Sequence, residues 1–346
     1  MSTATSPWDQ PRHSGRLVQP VSLLRLDGPD TRSFLHGQTS QAVAQAAPGQ
    51  WLRTCCISPT GRMRALAEVL VDESGAWLAI TAGEGGAVRA AFDRVLFPAD
   101  QVHLGPLQSG WLITPLSPGT PAERPEPEGG SWRAVGEPQA ELQAWLLGEE
   151  RLLVQGDAPL PPALAADLPA AFSSGDQLNA SDSEHWRIQR GLPAAPHELN
   201  DDTNPFELGL AERVSLSKGC YVGQETLAKL ATYDGVKQQL RRWHLAAATG
   251  ATEARAAAAC TEPGSDLQGA DGSRAGLITS SLELAEGQGR IGLALVRRRH
   301  LEAVELRALG SAGQEEAGPE AGAMVTLSCP EAFAPPPVGA GSAARL

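Results

Sequence analysis

The chain has 346 residues, 42% hydrophobic and 20% charged, with a formal net charge of −12 at pH 7, so two or three globular domains are expected rather than one core. The acidic balance argues against stable nucleic-acid binding, which rests on clustered Lys and Arg. No apolar run approaches the roughly 20 residues that span a bilayer and the N-terminal stretch lacks the apolar segment of a secretory signal, which makes the cytoplasm the expected location and excludes a membrane partner.

In chain order, Pro20–Leu26 is predicted as a strand, and Asp27 or Gly28 caps a helix that turns Phe34 and Leu35 toward the core. Trp51–Ile57 and Arg62–Asp72 read as a hairpin around the turn "SPTG", with Ala76–Thr81 as a third strand. Glu84–Phe97 has helical spacing in Val88, Ala91, Phe92 and Val95 and stops at Pro98. Gly110–Leu116 is strand-like, Ser117–Gly130 has the composition of a mobile loop, and Pro138–Gly148 reads as a helix ending on glycine. A strand "RLLVQ" and a helix over Ser181–Gly191 follow. Hairpins dominate the joins, so the pattern is α+β rather than a doubly wound parallel sheet. After Lys237, short strand candidates separated by Gly-, Asp-, Glu- and Pro-rich turns predict a small all-β barrel or sandwich, and Cys329–Leu346 reads as a disordered tail. The basic clusters Arg241–Trp243 and Arg297–His300 read as solvated strand ends.

The five cysteines (Cys55, Cys56, Cys220, Cys260 and Cys329) are odd in number and irregular in spacing, without a CxxC pair or zinc spacing. This fits a reducing compartment and argues against a metal site formed by this chain alone. Lysine occurs only as Lys218, Lys229 and Lys237. One of the three stands two residues before a cysteine, in "SLSKGCYVGQETLAKL" (Ser215–Leu230). Gly219 and Gly223 bracket Cys220, and "GQETLAKL" has the residues of a short helix. A thiol beside Lys218 and a helix N-terminus would have its pKa lowered, which favours a reactive thiolate. A buried structural cysteine in a tight turn is the alternative from spacing alone. A papain-like pairing with His185, His197 or His244 finds no recognisable protease motif.

The octapeptide Lys218–Glu225, "KGCYVGQE", resembles the signature K-G-C-[YF]-x-G-Q-E of the YgfZ-type folate-binding proteins, relatives of the aminomethyltransferase (T-protein) of glycine cleavage. "LDGPDTRSFLHGQTSQAV", "CCISPTGRM", "WRIQRGLP", "AGLITSS" and "GRIGLALVRR" resemble other family segments in the same order, so the likeness runs from about Leu24 to Arg299. It implies two antiparallel α+β, ferredoxin-like units around a central channel plus a C-terminal β-barrel. The first unit would be discontinuous (18–50 and 105–235), the second would cover 51–104, the barrel 236–329, and a tail 330–346.

The resemblance further implies tetrahydrofolate or a derivative in the channel, with Trp186, Arg187 and Gln189 lining it, and Cys220 and Lys218 as the chemical residues of a motif completed by Gly219, Tyr221, Gly223, Gln224 and Glu225. The implied partners are folate and iron–sulfur client proteins, including tRNA-modifying enzymes, served by a monomer. Two positions depart from the T-protein pattern: Gln189 stands where an acidic residue faces the pterin, and Ala42 where an Asp is usual. An amide offers one acceptor and one donor group where a carboxylate accepts twice. Three functions follow: a folate-binding accessory factor for iron–sulfur proteins using the Cys220 thiolate, a folate-dependent aminomethyl or one-carbon transferase, and a folate-binding regulator without chemistry. The T-protein lacks the signature cysteine, which favours the first.

Overall fold

The computed structural model describes residues 7–9, 15–116, 129–136, 143–159, 168–248, 250–310 and 322–339. Eight antiparallel strands close into one barrel: β1 (Gly15–Asp27), β2 (Gln50–Ile57), β3 (Met63–Val71), β4 (Gly75–Gly83), β5 (His103–Leu116), β6 (Gly129–Val135), β7 (Ala144–Leu147) and β8 (Arg151–Gln155). Their order is β1-β4-β3-β2-β6-β7-β8-β5, and β5 returns to pair with β1. A second barrel holds β9 (Gln238–Leu245), β10 (Asp266–Gln268), β11 (Arg274–Glu283), β12 (Arg290–Arg297), β13 (Glu305–Ala308) and β14 (Ala323–Ser328), in the order β10-β11-β12-β9-β14-β13. Six short helices accompany the strands among the described residues: α1 (Thr31–Gln38), α2 (Gly85–Asp93), α3 (Ala170–Ser173), α4 (Ala180–Arg190), α5 (Gln224–Thr232) and α6 (Ala251–Cys260). None is long and apolar enough to cross a membrane.

The α+β mixture and the C-terminal barrel match the sequence reading. The two ferredoxin-like units do not separate in the strand pairing: β1 and β5, expected in one unit, pair in the same ring with β2, β3 and β4, expected in the other. A closed ring leaves no free edge for a second sheet to begin.

Three local expectations change. The apolar run Ala144–Leu147 is strand β7, not part of a helix; all four residues are buried and pair with β6 on one side and β8 on the other. A short apolar run cannot be assigned by periodicity, and the neighbouring strands decide it. Residues 138–142 of that expected helix lie outside the described residues, as do 117–128 of the expected loop, while Gly129 and Gly130 open β6. The alanine-rich stretch between the first two strands of the second barrel forms helix α6, where only turns are expected between strands; alanine is the strongest helix former.

The tail is also different. Residues 329–339 form a strap across the junction of the barrels, and 340–346 lie outside the described residues. Ala332 N–H bonds Arg190 O at 3.0 Å, Ala334 N–H bonds Gly209 O at 2.9 Å, and Gly339 N–H bonds Ala231 O at 3.0 Å. Phe333 packs against the central core, with the Arg241 guanidinium 5.3 Å from its ring. Composition rich in Pro and Ala conceals such backbone anchoring.

The core that positions the motif lies between the barrels. It gathers Ile57, Met63 and Leu66 from the first, Leu240, Ile291 and Leu293 from the second, and Ile188, Tyr221 and Leu227 from the segments between them.

Candidate functional site

Helix α1 ends at Gln38, and the last carbonyls of a helix need partners from outside it. The octapeptide supplies them. Lys218 is 7% exposed. Its Nζ donates to the carbonyl oxygens of His36, of Thr39 at 2.6 Å and of Gln41 at 2.9 Å. Val222 N–H donates to Gly37 O at 3.0 Å, and Ser215 N–H to Ser40 O at 2.9 Å. The contact is reciprocal. His36 Nδ1 accepts from Ala44 N–H at 3.2 Å, so its Nε2 carries the proton and donates to Lys218 O at 2.8 Å.

Burial pulls the Lys218 pKa down to about 7. The carbonyl dipoles at a helix C-terminus act in the opposite direction. Three donated bonds need three N–H groups, which only the ammonium has, so the geometry is that of the charged form. The lysine is therefore committed to the end of α1 and is not turned to the thiol as an activating charge.

The other motif residues also have scaffold duties. Tyr221 is buried in the central core, with Lys218 Nζ 4.3 Å from its ring centre. Gly219 and Gly223 have φ of +95° and +79°, which a side chain rarely adopts. At Gly223 a Cβ would also meet Ser58 O at 2.7 Å, because the β2–β3 turn lies directly against the start of α5. Gln224 opens α5, and its N–H bonds Tyr221 O at 3.1 Å. Glu225 is exposed and pairs with Lys229 one turn on, at 2.6 Å.

Cys220 differs from its neighbours. It is exposed, and among the described residues no side chain bonds its thiol. It precedes the α5 cap residue Gly223 by three positions, and Glu225 brings a carboxylate to the same helix end. Exposure on a fixed turn, rather than an adjacent cation, is what the setting provides. Cys55 and Cys56 are the reverse case: burial pushes their thiols up to about 11 and about 12, and buried neutral thiols are inert.

The three helix residues expected at a folate channel each contact other groups of the protein. Arg187 is engaged on every nitrogen: it bonds Glu184, Leu192 O at 2.7 Å, Ser280 Oγ at 2.7 Å and the buried Glu198 at 3.5 Å. It ties α4 to β11 of the second barrel. The Gln189 amide donates to Glu331 of the strap at 2.7 Å. Trp186 is half-buried, with the Arg190 guanidinium 5.8 Å from its ring. Ala42 precedes the short helical turn Val43–Gln45.

One cluster escaped the sequence reading. Glu68 of β3 lies among the guanidinium groups of Arg53 at 3.3 Å and Arg151 at 3.0 Å, with Arg213 beside them. The signal was present as single charges inside the apolar runs "WLRTCCI" and "RMRALAEVLVD", but their meeting depends on the barrel closing.

No family model matches the chain. It is 28% identical over 295 residues to a chloroplastic transferase candidate of Arabidopsis thaliana, covering 80% of this chain and 63% of that protein. The chain thus spans less than two thirds of that relative. It is 26% identical over 315 residues to the tRNA-modifying protein YgfZ of Shigella sonnei, covering 83% of this chain and 89% of that one. A mitochondrial iron–sulfur cluster assembly factor of Mus musculus is 27% identical over 206 residues, 58% of this chain and 48% of its own. In fold, the crystal structure of the glycine cleavage system aminomethyltransferase T from Bartonella henselae matches with a TM-score of 0.64 at 16% identity, covering 93% of this chain and 88% of that one.

Proposed function

The chain is a member of the YgfZ/GcvT-like family, and from that premise we propose that it is a folate-binding accessory protein for iron–sulfur enzymes, tRNA-modifying ones among them, with Cys220 as its working thiol. One observation carries the reading. Within the octapeptide, Lys218, Gly219, Tyr221, Gly223 and Gln224 build a turn pinned to α1 and to the central core, and Cys220 stands exposed on it. A scaffold of this kind holds a thiol in a fixed place while leaving it open to a large partner.

The chemistry asked of it is modest. The thiol gives its proton to solvent, and the thiolate sulfur donates an electron pair to an iron of the client's cluster, a soft ligand for that metal. The bond is transient, and the cluster is substrate rather than a resident group. Tetrahydrofolate is retained as a proposed ligand, but the expected helix residues fit it poorly: Arg187 and Gln189 are committed to protein partners, which leaves Trp186 as the contact residue, since a flat aromatic ring stacks on a flat ligand.

The test is Cys220→Ala expressed in a bacterium that lacks its own YgfZ-like protein. Iron–sulfur enzyme activity is expected to stay at the level of the deletion while the parent restores it; full restoration by the variant would remove the thiol from the mechanism. Titration of purified protein with tetrahydrofolate is expected to quench tryptophan fluorescence, less so in Trp186→Phe. The transferase reading instead requires methylenetetrahydrofolate to form from an aminomethyl donor, unaffected by Cys220→Ala.

A further inference from the structure

A groove of about 200 Å³ lies between α2, the β2–β3 hairpin and the motif. Ile57, Val88 and Phe92 are buried at its floor, and Val222, two residues beyond Cys220, forms one side. Arg64 and Arg94 line its mouth and are both exposed. Arg25 of this barrel pairs with Asp27 and Asp72, and Arg151 with Glu68, whereas Arg16 and Arg133 have no carboxylate partner among the described residues. Among the described residues neither Arg64 nor Arg94 has a carboxylate partner, in a chain with 40 acidic and 28 basic residues. An apolar hollow rimmed by two uncompensated guanidinium groups is complementary to a molecule with an apolar body and an anionic end, because the floor gains from burial and the fork of each guanidinium matches carboxylate or phosphate oxygens.

We propose that this groove is a binding site for a small amphipathic anion, an acyl or aromatic body ending in a carboxylate or phosphate, seated against the Val222 side of the motif. The site does not depend on the reading of Cys220: none of its lining residues is the thiol, and its ligand is recognised by charge and shape alone. Occupancy would nevertheless place a ligand beside the turn that displays Cys220.

Calorimetric titration of the full chain tests it with octanoate, octyl phosphate and octanol as probes. One-site binding of at least one of the two anions is expected, and whichever binds tighter identifies the head group; octanol is expected to bind about tenfold more weakly, since it lacks the charge-assisted bonds. The exposed pair Arg64→Met and Arg94→Met is expected to weaken the anion about tenfold with the fold intact. Ala91→Trp, which fills the groove from the half-buried face of α2, is expected to abolish binding. The proposal is overturned if neither anion binds the parent, if octanol binds as well as octanoate and octyl phosphate, or if the double arginine variant binds as the parent does. Cys220→Ala is expected to bind the probes normally, so failure of the thiol reading leaves this result unaffected.

Discussion

Glu68→Gln is expected to lower stability at pH 7 by about 3–5 kcal/mol, the usual cost of breaking a buried ion pair from one side. Glu68 is 0% exposed. It faces Arg53 across the β2–β3 ladder and Arg151 from β8, while Arg213 approaches from the loop before the motif. The interior of an eight-stranded barrel is filled by side chains, so the substitution removes a negative charge from among three guanidinium groups where water has little room to replace it. The pH dependence has a definite sign. Burial pushes the Glu68 carboxyl up, but Arg151, Arg53 and Arg213 together outweigh it and hold the pKa below the usual carboxylate range. A depressed folded-state pKa means the contribution is full above the unfolded value, about 4.3, and is lost as pH falls through the lower folded value. Urea unfolding of parent and Glu68→Gln should therefore differ most near neutrality and converge in acid. A difference below about 1 kcal/mol at pH 7 would mean that the cluster is not the ionised, closed network described.

Lys218→Met is expected to cost about 3 kcal/mol, because it leaves three carbonyl oxygens at the end of α1 without their donor and unmet buried acceptors are expensive. Methionine keeps the apolar stem, so most of the loss falls on the ammonium. The change should also loosen the turn itself, with faster hydrogen exchange at the Val222 and Ser215 amides, which bond α1 and its following segment. If Lys218 served only to activate the thiol, its loss would instead slow Cys220 alkylation and leave unfolding unchanged. Unfolding and alkylation followed on the same variant separate the two.

Gly219, Gly223 and the helix from Gln224 were legible because they are local: positive φ and a helix start are decided within a few residues. The β2–β3 hairpin and the C-terminal barrel were legible for the same reason, as alternating runs between turn residues. The destination of Lys218 was not, because its acceptors lie about 180 positions earlier in the chain and nothing in "SKGC" points to the end of a particular helix. Arg53, Glu68, Arg151 and Arg213 likewise meet only once the eight strands have closed into a ring. Arg187 and Gln189 fall on the expected helix α4 but on different faces of it, and a helix wheel alone does not reveal that Ser280 and Glu331 occupy those faces. Trp145 and its neighbours read as helix because the strands that bury both of their faces are defined by the tertiary fold.

The central claim is that Cys220 carries no scaffold duty within the octapeptide. Thermal unfolding of Cys220→Ala measures this directly. An exposed thiol without a bonded partner contributes little to the folded state, so the midpoint should stay within about 1 °C of the parent. A fall of several degrees, comparable to that of Lys218→Met, would make the cysteine a packing residue and contradict the account.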